Sequence, residues 1–266
     1  MDKDKKNMRG ISVKGFLIPP LIIYCLLQLS AYASVDVGLV PEDCLKAVSL
    51  YNKGTFSKDP GEKEMLFKEA IPLCTDPEVI SKVFNNLADV YETKGELLKA
   101  LTNYRKAIAV KKDLVTSYVS VGDIFSRLGD HYSAYVMYEK ALKIDPEDKD
   151  AIQGKEKTGE AFKKKMVLYF DLDSSKISDN YIYRIQVVGE FAKKSKRINI
   201  TGFTCDLGSM AYNKRLSLKR AQSVASYFKS HYPIDSKRFV VKGKGKAEPL
   251  LPDSNEEART LNRRVE

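Results

Sequence analysis

Arg220 sits where a charge is expensive. Residues 210–231 read as one amphipathic helix, with Leu216, Val224 and Phe228 marking an apolar stripe at steps of four. Arg220 falls on the same stripe, and so does Asn213, one turn before Leu216. A guanidinium held against an apolar face requires an anionic partner, because an unpaired charge taken out of water costs on the order of several kcal/mol. Within the chain the candidate partner is Asp206, in the Thr204–Ser209 loop before the helix. Outside it, the candidate is a ligand carboxylate, which arginine grips through two parallel hydrogen bonds. The competing reading is that Arg220 snorkels, with its stem on Leu216 and its head in water. In the paired readings the chemistry is recognition of an anion and not bond making. The two histidines, His131 and His231, lie outside any cysteine cluster, which supports neither a zinc site nor a His-based triad. His131 falls in a turn and is expected to be solvated. Gly243-Lys244-Gly245-Lys246 lacks the Walker spacing and its Ser/Thr. No catalytic constellation is found, and no cofactor or metal is expected.

The elements that must position these residues alternate in type. Met166–Phe170 is an apolar run of strand length, ended by Asp171-Leu172-Asp173-Ser174-Ser175. A helical pattern follows on Ile182, Ile185, Val188 and Phe191, then the alternating stretch Ile198–Gly202 as a second strand. After the long helix, Arg238–Lys242 reads as a third strand, and Arg264-Val265-Glu266 starts a last one. Strands alternating with helices predict an α/β sandwich with its helices on one face of a small sheet.

The ordered set Gly202-Phe203-Thr204-Cys205-Asp206-Leu207-Gly208-Ser209, Tyr212-Asn213, Leu216-Ser217, Arg220-Ala221 and Asn262-Arg263-Arg264-Val265-Glu266 resembles the OmpA-like domain over about residues 165–266. The resemblance implies non-covalent binding of peptidoglycan through the diaminopimelate of its stem peptide. In that family an Asp meets the ammonium of this residue and an Arg meets its carboxylate. Arg220 matches the family Arg; Asn213, Leu216 and the Arg263-Arg264 pair match their motif positions, and Asp171 matches an acidic position beside the pocket. The implied binding set is therefore Arg220, Asp206, Asn213, Asp171, Thr204 and Arg264. One position departs from the pattern. Gly202-Phe203-Thr204-Cys205 stands where the family usually has Gly-His-Thr-Asp, and the acid comes one residue later, as Asp206. Asp206 reaches the pocket only if the turn rotates its side chain inward. A thiol supplies no fixed negative charge unless its pKa is strongly lowered.

Residues 81–114 and 115–148 align with each other at a period of 34. Phe84, Leu87, Ala88, Tyr91, Gly95, Ala100, Tyr104 and Ala107 correspond to Tyr118, Val121, Gly122, Phe125, Gly129, Ala134, Tyr138 and Ala141. This pattern resembles the tetratricopeptide repeat, a helix–turn–helix unit that stacks with its neighbours. A degenerate unit is expected at about 41–77 and a polar capping helix at about 148–164. The resemblance implies a groove for a helix or extended segment of a partner protein, which the sequence does not name. No flexible Gly/Ser linker separates the repeats from the C-terminal unit at Lys163-Lys164-Lys165, so close joining is expected. Cys44 and Cys74 flank the degenerate pair and are the natural disulfide couple, leaving Cys205 free.

Ahead of the repeats, residues 1–33 have the layout of a secretory signal peptide. Lys3, Lys5, Lys6, Arg9 and Lys14 precede the largely apolar Phe16–Ser30, and Ala31-Tyr32-Ala33 is an A-x-A cleavage site. The formal net charge is +10. It concentrates in residues 166–266, which hold 19 Lys/Arg against 11 Asp/Glu. For an exported chain, nucleic acid is a poor partner for that excess, and an anionic wall polymer or acidic headgroups fit better. The chain therefore reads as a two-domain protein, residues 34–165 all-α repeats and 166–266 an α/β OmpA-like domain. Its expected role is a non-enzymatic adaptor of a Gram-negative periplasm, compatible with peripheral outer-membrane association. The alternative is a protein–protein scaffold whose OmpA-like domain has lost wall binding.

Overall fold

A computed structural model describes residues 44–252 and 255–266. The signal-peptide reading lies outside the described residues. Seven helices come first: α1 (Leu45–Phe56), α2 (Pro60–Ala70), α3 (Pro77–Thr93), α4 (Leu97–Val110), α5 (Val115–Arg127), α6 (His131–Ile144) and α7 (Lys149–Phe162). Aspartates start four of them. Asp59, Asp76, Asp130 and Asp148 each accept a hydrogen bond from a backbone N–H in the first turn of the helix that follows, satisfying donors the helix cannot. In two of these starts Pro occupies the first helical position, where its missing N–H costs nothing.

The 34-residue period has a polar counterpart. The phenol of Tyr104 donates to Asp89 (2.5 Å) and that of Tyr138 to Asp123 (2.7 Å), the same bond one repeat apart. Both rings are almost fully buried, so each hydroxyl needs such an acceptor. Cys44 and Cys74 form a disulfide that fastens α1 to the end of the α2 segment, with Cα atoms 4.7 Å apart. Cys205 is free and buried.

The C-terminal unit follows as β1 (Leu168–Tyr169), α8 (Ile182–Ala192), β2 (Ile198–Gly202), α9 (Met210–His231), β3 (Phe239–Gly243), α10 (Glu256–Asn262) and β4 (Arg264–Val265). The strands form one sheet in the order β1-β4-β2-β3, with β2 and β3 parallel and β4 antiparallel to both of its neighbours. β1 is shorter than the apolar run Met166–Phe170 suggests, because its ladder partner β4 offers only Arg264 and Val265. β3 begins one residue late, since Arg238 belongs to a tight turn capped by Asp235. α10 was not expected from the sequence.

One close approach fixes the long helix over the sheet. Gly202 and Gly243 face each other in the β2–β3 register. A Cβ on Gly202 would lie 1.9 Å from the carbonyl oxygen of Ser217, and one on Gly243 would lie 2.4 Å from the amide nitrogen of Leu218. Only glycines let α9 sit this low. The contact places Asn213, Leu216 and Arg220, one face of α9, over the ends of the strands.

Among the described residues the two units touch through Arg184, through α10 and through the Lys165–Glu266 ion pair (3.1 Å), among other contacts. Arg184 of α8 donates to the carbonyl of Val167 (2.7 Å) and to the buried carboxylate of Asp130 (3.4 Å), and its guanidinium lies 4.2 Å from the centre of the Tyr132 ring. Glu257 of α10 accepts from Thr102 (2.6 Å) and Arg105 (2.9 Å) of α4. No helix among the described residues is long and apolar enough to cross a membrane.

Candidate site around Arg220

Arg220 is completely buried, the largest fully buried side chain among the described residues. Its guanidinium donates to three backbone carbonyls: Nε to Ser174 (2.7 Å), Nη1 to Phe203 (3.2 Å) and Nη2 to Asp171 (2.8 Å). It thereby ties the β1 turn, the end of β2 and α9 together. Among the described residues no carboxylate stands in ion-pair contact with it. Burial, together with the nearby charge of Arg263, pushes its pKa down to about 10, so it is still a cation at neutral pH.

A cavity of about 290 Å³ opens beside it, lined by Leu172, Asp173, Thr204, Cys205, Leu207, Gly208, Tyr212, Asn213, Leu216, Arg220 and Arg263. The lining carries two guanidiniums, those of Arg220 and Arg263, and the carboxylate of Asp173. The Thr204 hydroxyl is buried with no hydrogen-bond partner, and natural interiors seldom leave such a group unsatisfied. Asn213, nearly fully buried, donates to the carbonyls of Leu207 (2.7 Å) and Gly208 (3.3 Å) and so shapes the loop wall. Asp173 is the carboxylate of the lining; its φ of 57° lies in the left-handed region, which Asp tolerates better than most residues.

Of the residues expected from the sequence, the cavity brings together Arg220, Asn213 and Thr204. Asp206 turns the other way. Its carboxylate accepts from Nε of Arg259 at 2.9 Å and Nη2 at 3.4 Å, outside the lining. This corrects the expected Asp206–Arg220 pairing, and the cause is α10, which puts an arginine on the outer side of the loop. The same Arg259 holds the Asp206 carboxyl below its usual pKa. Asp171 contributes its carbonyl to Arg220 while its side chain is exposed. Arg264 is not part of the lining. Its guanidinium lies over the Phe203 ring at 3.9 Å and its Nε donates to Glu266 at 2.7 Å. Arg263 takes the expected place, held by Glu256 (2.7 Å), Thr260 (2.8 Å) and the carbonyl of Phe170 (3.1 Å). Consecutive side chains of an extended segment point to opposite sides, so only one of the pair can face the cavity. His131 is not simply solvated either, for its Nδ1 is buried without a partner and burial lowers its pKa.

Residues 169–263 match the model of the OmpA family, and residues 81–114 and 115–148 each match a tetratricopeptide repeat. Residues 169–263 are an OmpA-family domain. Outer membrane porin F of Pseudomonas aeruginosa is 33% identical over 99 residues, covering 36% of this chain and 28% of its own. Outer membrane protein A of Bordetella avium is 35% identical over 103 residues, covering 37% of this chain and 51% of its own. Among solved structures, the peptidoglycan-associated lipoprotein of Burkholderia pseudomallei is 29% identical, covers 38% of this chain and 87% of that one, and has a TM-score of 0.37. The chain thus spans about a quarter to a half of the length of these curated relatives. In this OmpA-family domain the charged and polar lining comes from the β1 turn, the loop after β2, the first turns of α9 and the residue after α10.

Proposed function

We propose that this protein is a non-enzymatic adaptor of the Gram-negative cell envelope. Its OmpA-family domain holds peptidoglycan non-covalently at the Arg220 cavity, and its repeats hold a partner protein. The observation that carries the reading is the pairing of a fully buried guanidinium, lacking any carboxylate in ion-pair contact, with the unsatisfied hydroxyl of Thr204 in one cavity. A carboxylate in the cavity gives the Thr204 hydroxyl an acceptor and the buried guanidinium a countercharge. About 290 Å³ has room for the end group of one amino acid. The free end of diaminopimelate carries a carboxylate and an ammonium. Asp173, at the rim, is the acid nearest to hand for the ammonium, because Asp206 is engaged by Arg259. Relatives that are outer membrane proteins support an envelope location.

The test is co-sedimentation of the mature protein with purified sacculi, with Thr204→Val as the probing variant. Valine keeps the shape and removes only the hydroxyl, so folding is preserved or improved while binding weakens about fivefold to tenfold. Unchanged binding by Thr204→Val, with Arg220→Lys also unaffected, would overturn the reading. One observation favours the scaffold alternative: Cys205, and no carboxylate, lies buried in the lining where the family has its acid. Absence of sacculus binding by the wild-type protein decides for it.

The repeats offer a groove of about 540 Å³ between α3, α5 and α7, lined by Glu92, Asp123, Arg127, Asp150 and Lys157 among others. Partner binding through this groove is the reading the repeat family supports.

A further inference from the structure

α10 divides its loyalties. By packing it touches both units: it lies against β1, while Ala258 and Leu261, its buried apolar residues, join the hydrophobic cluster of the helical stack, as do Leu250 and Leu251 just before it. None of its residues enters the core of the OmpA-family domain. By polar contacts it belongs to the cavity. Glu256 and Thr260 hold Arg263, a lining residue, and Arg259 holds Asp206, next to the lining residue Cys205. Between these two sets stands Glu257, which accepts from both Thr102 and Arg105 of α4. Glu256 and Glu257 are neighbours on the helix, about 100° apart around its axis, and they reach to opposite sides. A seven-residue helix does not hold itself together in water, so its place is dictated by what it packs on.

We propose that the repeat stack is part of the binding device, with Glu257, Thr102 and Arg105 acting as positioning residues for the Arg220 cavity. Through α10 they fix where Arg263 stands and how the Thr204–Asp206 loop is held. This rests on the wall-binding reading for the identity of the ligand, but the mechanical link does not. The consequence is that occupancy or distortion of the repeats changes ligand affinity at a site with which Thr102 and Arg105 make no contact.

The experiment uses the full mature chain and a diaminopimelate-containing muropeptide, with Glu257→Arg, Arg105→Glu and the double charge swap. Each single variant should bind at least about fivefold more weakly, since like charges now face each other, and the swap should return to within about twofold of wild type. Rescue by the swap assigns the loss to the Glu257–Arg105 pair and not to either side chain alone. Hydrogen exchange supplies a ligand-free readout. The Thr204 amide, bonded to the carbonyl of Gly245 at 2.8 Å, should exchange faster in both single variants and regain protection in the swap. Wild-type binding with unaffected single variants and unchanged Thr204 exchange would overturn the coupling. Failure of the wild type to bind would instead remove the wall-binding reading, with exchange still deciding the link.

Discussion

The carboxylate of Asp206 is gripped by Arg259 at 2.9 Å, facing away from the cavity in which Arg220 lies. The acid nearest in sequence to the Arg220 helix is therefore engaged in holding a loop to α10. Arg220 itself is held by three carbonyls and lies in the cavity wall without exposed surface. Its role is double, structural and ligand-directed, and the variants that probe it must separate the two.

Arg220→Ala should be poorly tolerated as a fold. It takes a donor from three carbonyls, of which that of Asp171 keeps the Ser174 amide, and leaves a hole beside Phe170, whose ring centre lies 5.4 Å from the guanidinium carbon. A loss of about 3–5 kcal/mol is expected from such a buried network. Chemical denaturation measures it, and a loss below about 1 kcal/mol would contradict the hub role.

Gly202→Ala should be comparably severe for a different reason. Its methyl group would fall 1.9 Å from the Ser217 carbonyl oxygen, which is backbone and cannot swing aside. The expected cost is at least about 2 kcal/mol, with α9 displaced from the sheet. A thermal melt checks it.

Cys205→Asp puts a carboxylate into the lining where none is buried now. If the ammonium of the ligand is poorly met at present, affinity for the muropeptide should rise about tenfold, the effect of one charge-assisted hydrogen bond of about 1.4 kcal/mol. Calorimetric titration of the two proteins compares them. Equal affinities would mean that Asp173 already does this work.

The first repeat unit should be acid-sensitive. Hydrogen bonds from Lys68, then Lys94, hold the Glu64 carboxyl down to about 2, and the Tyr91 phenol adds to them. Because the folded pKa lies below the unfolded one, the contribution is complete above about pH 4.5 and is lost as pH falls toward 2. Glu64→Gln should remove this part of the pH dependence, followed by helical circular dichroism. Reduction of the Cys44–Cys74 bridge acts on the same unit. Its loop separation of 30 residues corresponds to about 3.5 kcal/mol of chain entropy, so α1 and α2 should melt first under reductant.

Much of this architecture was legible because its signals are local. The 34-residue repeat, the stripe on α9 and the alternation of β2 each follow from the spacing of side chains along one element. Arg220 and Asn213 are marked by both helix period and motif, and Thr204 by the motif alone. The misreadings are tertiary. α10 has seven residues and too little periodicity to announce itself, and its apolar face is completed by the repeats some 150 positions away in the chain. Arg259 of α10 is the competitor that draws Asp206 from Arg220, and the motif pointed to Arg264 where Arg263 lines the cavity. Nothing in the motif or the helix period marks Asp173. Its left-handed φ, which brings it to the cavity rim, does not show in the residue type.

The account stands on the claim that the Arg220 cavity takes the free end of diaminopimelate. Titrating the mature protein with a diaminopimelate-containing muropeptide and with its lysine-containing counterpart, which lacks the terminal carboxylate, tests this most directly. The account predicts saturable binding of the first, with at least about a tenfold preference over the second. Equal affinity for the two, or no binding of either, would contradict it.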